Sequence, residues 1–360
     1  MKREEIFNKF KGKKVLITGH TGFKGSWLVL IMKELGAEVH GFSIDEGQKS
    51  IYSVSKSLLA TDTRGDINDY ESIHRIIDKI RPHYLFHLAA QPIVKQSYED
   101  PLTTFSTNAM GSLNILESLR ILNLPCVCIL VTSDKAYDNV EMLFGYRETD
   151  ALGGKDPYSA SKACAEIIFK SYFESFLKKG RGLFATARAG NVIGGGDWSK
   201  DRIVPDCIRS WRSGGSVHLR SPEATRPWQH VLEPLIGYVW LAMKLNDSPN
   251  TVNGESFNFG PVSGQNVNVF EIVNMLGNHF GGLTQITKEL SRNNVYESGL
   301  LKLNIDKSLH LLNWYPTWNI DQTVINTASW YRDEVEDKAM LEVSQGQITE
   351  YISQFVHGDK

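Results

Sequence analysis

One turn constrains this chain more than any other feature. Gly19-His20-Thr21-Gly22-Phe23-Lys24-Gly25 stands between the apolar run Lys14–Thr18 and an apolar-periodic segment, 26–35. Glycines three apart at a strand-to-helix turn let the backbone reverse tightly and approach a pyrophosphate at the helix N-terminus. A glycine triplet alone is often only a turn, but here strand, turn and helix come in the order that dinucleotide binding needs. Gly19, Thr21, Gly22, Phe23, Lys24 and Gly25 are therefore the candidate cofactor cradle. The next strand, 38–44, should end on an acidic residue that holds the adenosine ribose of NAD. Ser43 occupies that position, Asp45 follows two residues later, and no arginine stands just there for a 2′-phosphate. The expectation is NAD, held by Asp45 through a weaker ribose contact than usual, with Gly65-Asp66-Ile67 beside the adenine.

The pattern continues along the chain. Tyr70–Ile80 reads as a helix closed by Arg81-Pro82, 84–89 as a strand and 108–122 as a long helix. A strand at 126–131, a helix opening at Tyr158 and a strand at 183–187 follow. Strands alternating with helices imply right-handed crossovers and a parallel sheet covered on both faces. The expected fold is α/β, a Rossmann doubly wound parallel sheet with a smaller mixed α/β substrate-binding lobe. Residues 1–190 should form the NAD-binding domain. Residues 191–360, with glycine- and proline-rich loops and short helices, should form mainly the lobe, with 256–260 returning to the sheet.

Charge and cysteine content narrow the function. A net charge of −2 supplies no basic field for nucleic acid or an acidic membrane. The four cysteines, Cys126, Cys128, Cys164 and Cys207, have neither disulfide-scaffold density nor metal-ligand spacing, so no metal is expected. No apolar run approaches the roughly 20 residues of a membrane span, and residues 1–10 are charged where a signal peptide is apolar. The expected setting is the cytoplasm.

Two segments carry chemistry. Val131-Thr132-Ser133-Asp134-Lys135 is the polar end of an apolar strand, and Tyr158-Ser159-Ala160-Ser161-Lys162 opens a helix after Pro157. Positions four apart share a helix face, so Lys162 should lie beside Tyr158. A neighbouring ammonium stabilises a phenolate and lowers a tyrosine pKa from about 10. Such a tyrosine exchanges a proton with a hydroxyl whose carbon loses or gains hydride. Alone, a Tyr/Lys pair is more often a surface contact; the nucleotide turn and the polar strand end favour the catalytic reading.

The glycine turn with Leu88-Ala89-Ala90, Asn108 and the Tyr158/Lys162 pair resembles the extended short-chain dehydrogenase/reductase superfamily. Within it, the chain is similar to the nucleotide-sugar 4,6-dehydratases over nearly its whole length. The discriminating stretches are Thr132-Ser133-Asp134-Lys135-Ala136-Tyr137-Asp138-Asn139, the run from Arg188 to Trp198, and Arg226-Pro227-Trp228-Gln229-His230-Val231. The resemblance adds Leu88, Ala89, Ala90, Asn108, Tyr158 and Lys162 to the cofactor site. It implies that Tyr158 takes the sugar 4-hydroxyl proton, that Ser133 shares that hydrogen bond, and that Lys162 holds the cofactor ribose. Asp134 would protonate the departing 6-hydroxyl.

Related dehydratases carry Asp-Glu where this chain has Asp134-Lys135, so Lys135 stands at the position of the base that removes the C5 proton. As a base it must be neutral, a shift of about three units from ~10.4 or roughly 4 kcal/mol. Orienting the substrate, or pairing with Asp134, is the competing role. The implied substrate is a nucleotide-diphosphate sugar, CDP-glucose for the type with this lysine. The implied substrate residues are Gln91, Ser133, Arg188, Asn191, Val204, Arg220, Arg226 and Asn258, with Arg292 a further candidate. Segment 294–298 lacks a histidine expected before Glu297. Helices at 108–122 and 158–178 pair across a homodimer in this superfamily, with a tetramer as a further pairing. The competing functions are a dTDP- or GDP-hexose dehydratase, an epimerase that has no need of an acid at Asp134, and an NAD-sensing binder without turnover.

Overall fold

The computed structural model describes residues 3–45, 50–219, 221–262, 267–281, 286–288 and 300–358. Its centre is a parallel seven-stranded sheet: β1 (Lys14–Thr18), β2 (Glu38–Ser43), β3 (Thr61–Arg64), β4 (Tyr84–His87), β5 (Val127–Val131), β6 (Leu183–Ala189) and β7 (Ser256–Phe259). The spatial order is β7-β6-β5-β4-β1-β2-β3. Every pairing between neighbours is parallel. The order reverses between β1 and β4, and a crevice outside the carboxyl ends of the strands opens at such a switch point.

Helices cover both faces. On one lie α1 (Phe23–Glu34), α6 (Leu232–Asp247) and α9 (Met340–His357); on the other lie α2 (Tyr70–Ile80), α3 (Gly111–Leu122) and α4 (Pro157–Ser175). Buried on both faces, the central strands are apolar runs: Val15, Leu16, Ile17, Leu85, Phe86 and Ile129 have no exposed surface. The second helix shows how local signals set an element. Asp69 accepts a hydrogen bond from the Ser72 amide as N-cap, and Ile73, Ile77 and Ile80 face the sheet. Each such buried isoleucine contributes about 1.5–3 kcal/mol. Arg81, left-handed at φ 49°, ends the helix.

Three features differ from the sequence expectation. The cofactor helix begins at Phe23 rather than 26, because Gly25 belongs to its first turn. Strand β3 goes unread, since Thr61-Asp62-Thr63-Arg64 is polar and half-exposed at the sheet edge, where hydrophobic periodicity is absent. The chain beyond residue 190 supplies more than a lobe. Besides β7, α6 packs against β5 and β6, and α9 against α1. Helix α6 is buried on nearly every side, with Trp240, Tyr238 and Val239 fully covered. The remaining segments, including α5 (Ile203–Arg212), α7 (Val269–Phe280) and α8 (Ile320–Val335), stand over the carboxyl ends of the strands or beside them.

Candidate active site

A cavity of about 1480 Å³ runs along the carboxyl ends of β1, β4 and β5 and beneath the segment 189–228. The glycine turn forms one wall. Gly19 has φ +74°, and a Cβ there would meet the Ala89 amide nitrogen at 2.6 Å, so only glycine permits this approach of turn to strand end. A Cβ on Gly25 would collide with the Gly19 carbonyl, whereas Gly22 is open towards the cavity and is the N-cap of α1. The α1 amides therefore face the space where a pyrophosphate would lie. Thr21, Phe23, Lys24, Asp45, Asp66, Ile67, Leu88, Ala89 and Ala90 line the same wall, a donor set and cradle that fit a dinucleotide.

Beside Asp45 stands an arginine that the sequence does not reveal. Thr21 Oγ1 and Ser43 Oγ are 2.9 Å apart, so Ser43 is tied to the turn. Arg64, at the end of the unread strand, comes within 3.6 Å of Asp45. Asp62 holds its fork at 2.8 Å, and Tyr52 lies beneath it at 5.0 Å. Asp62 also takes His20 Nε2 at 2.8 Å.

The catalytic candidates converge at the ends of β5 and α4. Asp156 caps α4 by accepting from the Ser159 amide, and Pro157 occupies the first turn, where its missing N–H costs nothing. This start brings Tyr158 and Lys162 to the cavity wall with Ser133, Asp134 and Lys135. Ser133 Oγ donates to Asp134 Oδ1 at 3.0 Å and accepts from the Lys135 amide at 3.2 Å. Asp134 is 2 % exposed. Burial pushes its carboxyl up from the ordinary carboxylate range, against Lys135, the Ser133 bond, Lys24 and Arg226. Its Oδ2 has no hydrogen-bond partner among the described residues.

Tyr158 corrects the expectation. Burial raises its pKa to about 12, while a bond with Ser133 and the charge of Arg202 pull it down; Lys162 is not among the main groups that shift it. Lys162 Nζ instead donates to the Val131 carbonyl at 3.5 Å, and burial lowers its pKa to about 8, opposed by Glu166. Lys24 is lowered to about 7 by burial and by Arg202 and Lys162, against Asp134, and its Nζ donates to Tyr238 Oη at 3.4 Å.

The expected substrate residues divide. Ser133, Asn191, Val204 and Arg226 line the cavity, and Arg226 Nη1 donates to the Thr225 carbonyl at 2.8 Å. Gln91, Arg188 and Asn258, with the cofactor candidate Asn108, do not. Gln91 is turned inward, donating to Thr104 at 2.9 Å and to the Ile93 carbonyl. Asn108 fastens that loop by accepting from the Gln91 amide at 2.8 Å and donating to Ser161. Arg188 forks onto buried Glu166 at 2.9 and 2.8 Å and donates to Tyr137. Asn258 accepts from Tyr137 and donates to the Tyr146 and Asn304 carbonyls. Each already has its hydrogen-bonding capacity taken up inside the protein, which turns it away from the cavity. Arg220, Arg292 and segment 294–298 lie outside the described residues.

Arg202, unread in the sequence, lines the cavity as N-cap residue of α5 and donates to Asp197 at 3.1 Å. The signal for it was the amphipathic helix Ile203–Arg212 just beyond the glycine loop. No group of three or more possible metal ligands occurs among the described residues.

Comparison with known proteins bears on the family and the fold. The family model described as GDP-mannose 4,6 dehydratase matches residues 16–327. A CDP-glucose 4,6-dehydratase of Salmonella typhimurium is 40 % identical over 354 residues, covering 96 % of this chain and 98 % of its own. A UDP-glucose 4-epimerase of Thermotoga maritima, solved with UDP-glucose, superposes with a TM-score of 0.77 at 24 % identity, covering 89 % of this chain and 99 % of its own. A dTDP-glucose 4,6-dehydratase of Bacillus anthracis, solved with NAD, gives 0.74 at 19 % identity, covering 90 % and 98 %.

Proposed function

The chain belongs to the family that the GDP-mannose 4,6 dehydratase model describes, and we propose that it is an NAD-dependent hydro-lyase acting on CDP-glucose. The product is CDP-4-dehydro-6-deoxy-D-glucose, a building block for deoxysugars of polysaccharides. The observation that carries this reading is Asp134, a buried carboxyl raised towards its neutral form with a bare Oδ2 beside Ser133 and Tyr158. An acid so placed serves the expulsion of a hydroxyl; an epimerase has no use for it. The substrate follows from the 40 % identical relative, which is covered almost end to end.

The glycine turn, Asp45, Asp66 and Lys162 would hold NAD. When bound, it supplies a reversible hydride acceptor, so that C4 is oxidised and C6 later reduced with no net redox change. Tyr158 takes the 4-hydroxyl proton. It does so as the phenolate, the form that burial disfavours and that Ser133 and Arg202 support. The resulting 4-ketone acidifies C5–H, Lys135 removes that proton, and Asp134 protonates the leaving 6-hydroxyl. Asn191, Val204 and Arg226 face the nucleotide diphosphate, where an arginine fork matches phosphate oxygens.

Exposed apolar side chains on adjoining elements, Leu102, Met110, Ile121 and Ile167, support a homodimer through this face. The buried free cysteines and a nucleotide-sugar substrate fit the cytoplasm, and no helix among the described residues is long and apolar enough to cross a membrane. The test is to incubate the protein with NAD and CDP-, dTDP- or GDP-hexoses and weigh the products. Loss of one water from CDP-glucose is expected. An unchanged mass with an inverted carbinol replaces this reading with an epimerase.

A further inference from the structure

The sequence around Asp45 holds no arginine, yet the fold brings one there. Arg64 ends β3 in register with Ser43, the last residue of β2, so its side chain arrives beside the carboxylate that follows. In a dinucleotide fold this place decides between cofactors. A carboxylate takes the ribose 2′-hydroxyl of NAD, whereas an arginine accommodates the 2′-phosphate of NADP. Asp45 and Arg64 thus make opposite demands at one point, and the partners of the arginine decide which prevails.

The fork of Arg64 is already engaged. Nη1 donates to Asp62 Oδ1 at 2.8 Å and Nη2 to Asp62 Oδ2 at 3.2 Å. Nη2 also donates to Tyr52 Oη at 2.6 Å, and the Tyr52 ring lies 5.0 Å from the guanidinium carbon. Tyr52 in turn donates to Asp62 Oδ2, and His20 Nε2 meets Oδ1 at 2.8 Å. An isolated exposed ion pair would hold little, but a bidentate fork inside such a network is fixed. Nε, which neither Asp62 nor Tyr52 takes, faces Asp45 Oδ1 at 3.6 Å. Asp45 lines the cavity, whereas Arg64, Asp62 and Tyr52 do not, so the arginine stands behind the carboxylate. With burial holding His20 towards its neutral form, two carboxylates against one guanidinium leave this corner negative, which repels a phosphate. We propose that Asp62 is a cofactor-specificity determinant. By occupying the Arg64 fork it keeps the arginine from a 2′-phosphate and makes it a support for Asp45, so that NAD is accepted and NADP refused. Support matters here because Asp45 lies beyond the end of β2 and is 92 % exposed. The inference rests on the NAD-dependent reading and adds the residues that enforce it.

Dissociation constants of NAD and NADP, measured by titration calorimetry without any sugar nucleotide, test it. The wild type should bind NAD the more tightly. Asp62→Ala frees the fork, and NADP should then bind at least about tenfold more tightly than to the wild type, the effect of one added charge-assisted hydrogen bond. Arg64→Met in the Asp62→Ala background should remove that gain, which a mere loosening of β3 would leave in place. Asp62→Asn keeps the shape of the side chain without its charge; it should move NADP in the same direction and carries the test if Asp62→Ala does not fold. An NADP constant unchanged by both Asp62 substitutions, a gain that survives Arg64→Met, or a wild type indifferent to the 2′-phosphate overturns the proposal while the dehydratase reading stands. A wild type that binds neither dinucleotide removes the NAD-dependent reading and this inference with it.

Discussion

Arg188 offers the sharpest test of how this site is built, because the sequence places it on the substrate and the structure places it beneath. Its guanidinium spans Glu166 with two hydrogen bonds of 2.9 and 2.8 Å and reaches Tyr137 at 2.8 Å. Both partners of the ion pair are almost fully buried, at 3 % and 1 % side-chain exposure. Arg188→Met leaves Glu166 buried with donors only from Thr132, Thr186 and Ser256. Removing one partner of such a pair costs about 3–5 kcal/mol. With a urea m-value of about 3 kcal/mol/M for a chain of this size, the unfolding midpoint falls by about 1–1.7 M.

The pH dependence has a definite sign. In the wild type Glu166 is held below the ordinary carboxylate range; burial pushes it up, and Arg188 with its hydrogen bonds more than offsets this. It therefore contributes stability that is present above its unfolded pKa and is lost as pH falls through the folded value. Without Arg188, burial dominates and the folded pKa rises above the unfolded one, so the variant loses stability as pH rises. The gap between the two proteins is expected to be wider at pH 8 than at pH 5. Urea titrations at both pH values measure it, and KM for CDP-glucose, measured where the variant is folded, should stay within about twofold. A stable Arg188→Met with KM raised more than tenfold would restore this arginine to the substrate and refute the reasoning.

Three further outcomes are expected. Lys135→Met should still oxidise C4, seen as reduced nicotinamide absorbance with CDP-glucose, but lose elimination by about 10²–10⁴-fold; wild-type turnover would remove Lys135 as the base. The alkaline limb of kcat/KM should lie near the Lys162 pKa of about 8, and Glu166→Gln, by deleting the charge that raises it, should move that limb to lower pH. Ile167, 56 % exposed on α4, should on change to Glu convert a dimer to monomers in light scattering without abolishing helical circular dichroism.

Legibility followed the strength of local signals. Lys14–Thr18, Tyr70–Ile80 and Ser256–Phe259 are read to the residue, since a buried parallel strand is mostly apolar and an Asp-capped helix declares its start. The strand Thr61–Arg64 has no such signature, because an edge strand gains its place from backbone pairing with β2. The site was legible as segments and less so as side chains. Arg188 and Asn258 stand opposite one another in register on β6 and β7, and a motif does not say which face of a strand a polar residue meets. Inward polar groups look like ligand contacts in sequence because both need unusual chemistry at a fixed position.

Burial explains why acid and base coexist here and why they cannot be assigned one at a time. Removing water disfavours charge, lifting Asp134 and lowering Lys24 and Lys162. An acid and an amine are thus moved towards each other's ionisation range. Each also stabilises the other's ion: Lys24 and Lys135 lower Asp134, and Asp134 raises Lys24. The balance is therefore a property of the cluster. Lys24 extends it to the cofactor turn, since the same residue lies in the glycine motif and bonds Tyr238 on α6. A charge change at Lys24 therefore alters the protonation of Asp134, the acid proposed to expel water. The segment that most constrains the fold thereby also enters the charge balance of the proposed acid.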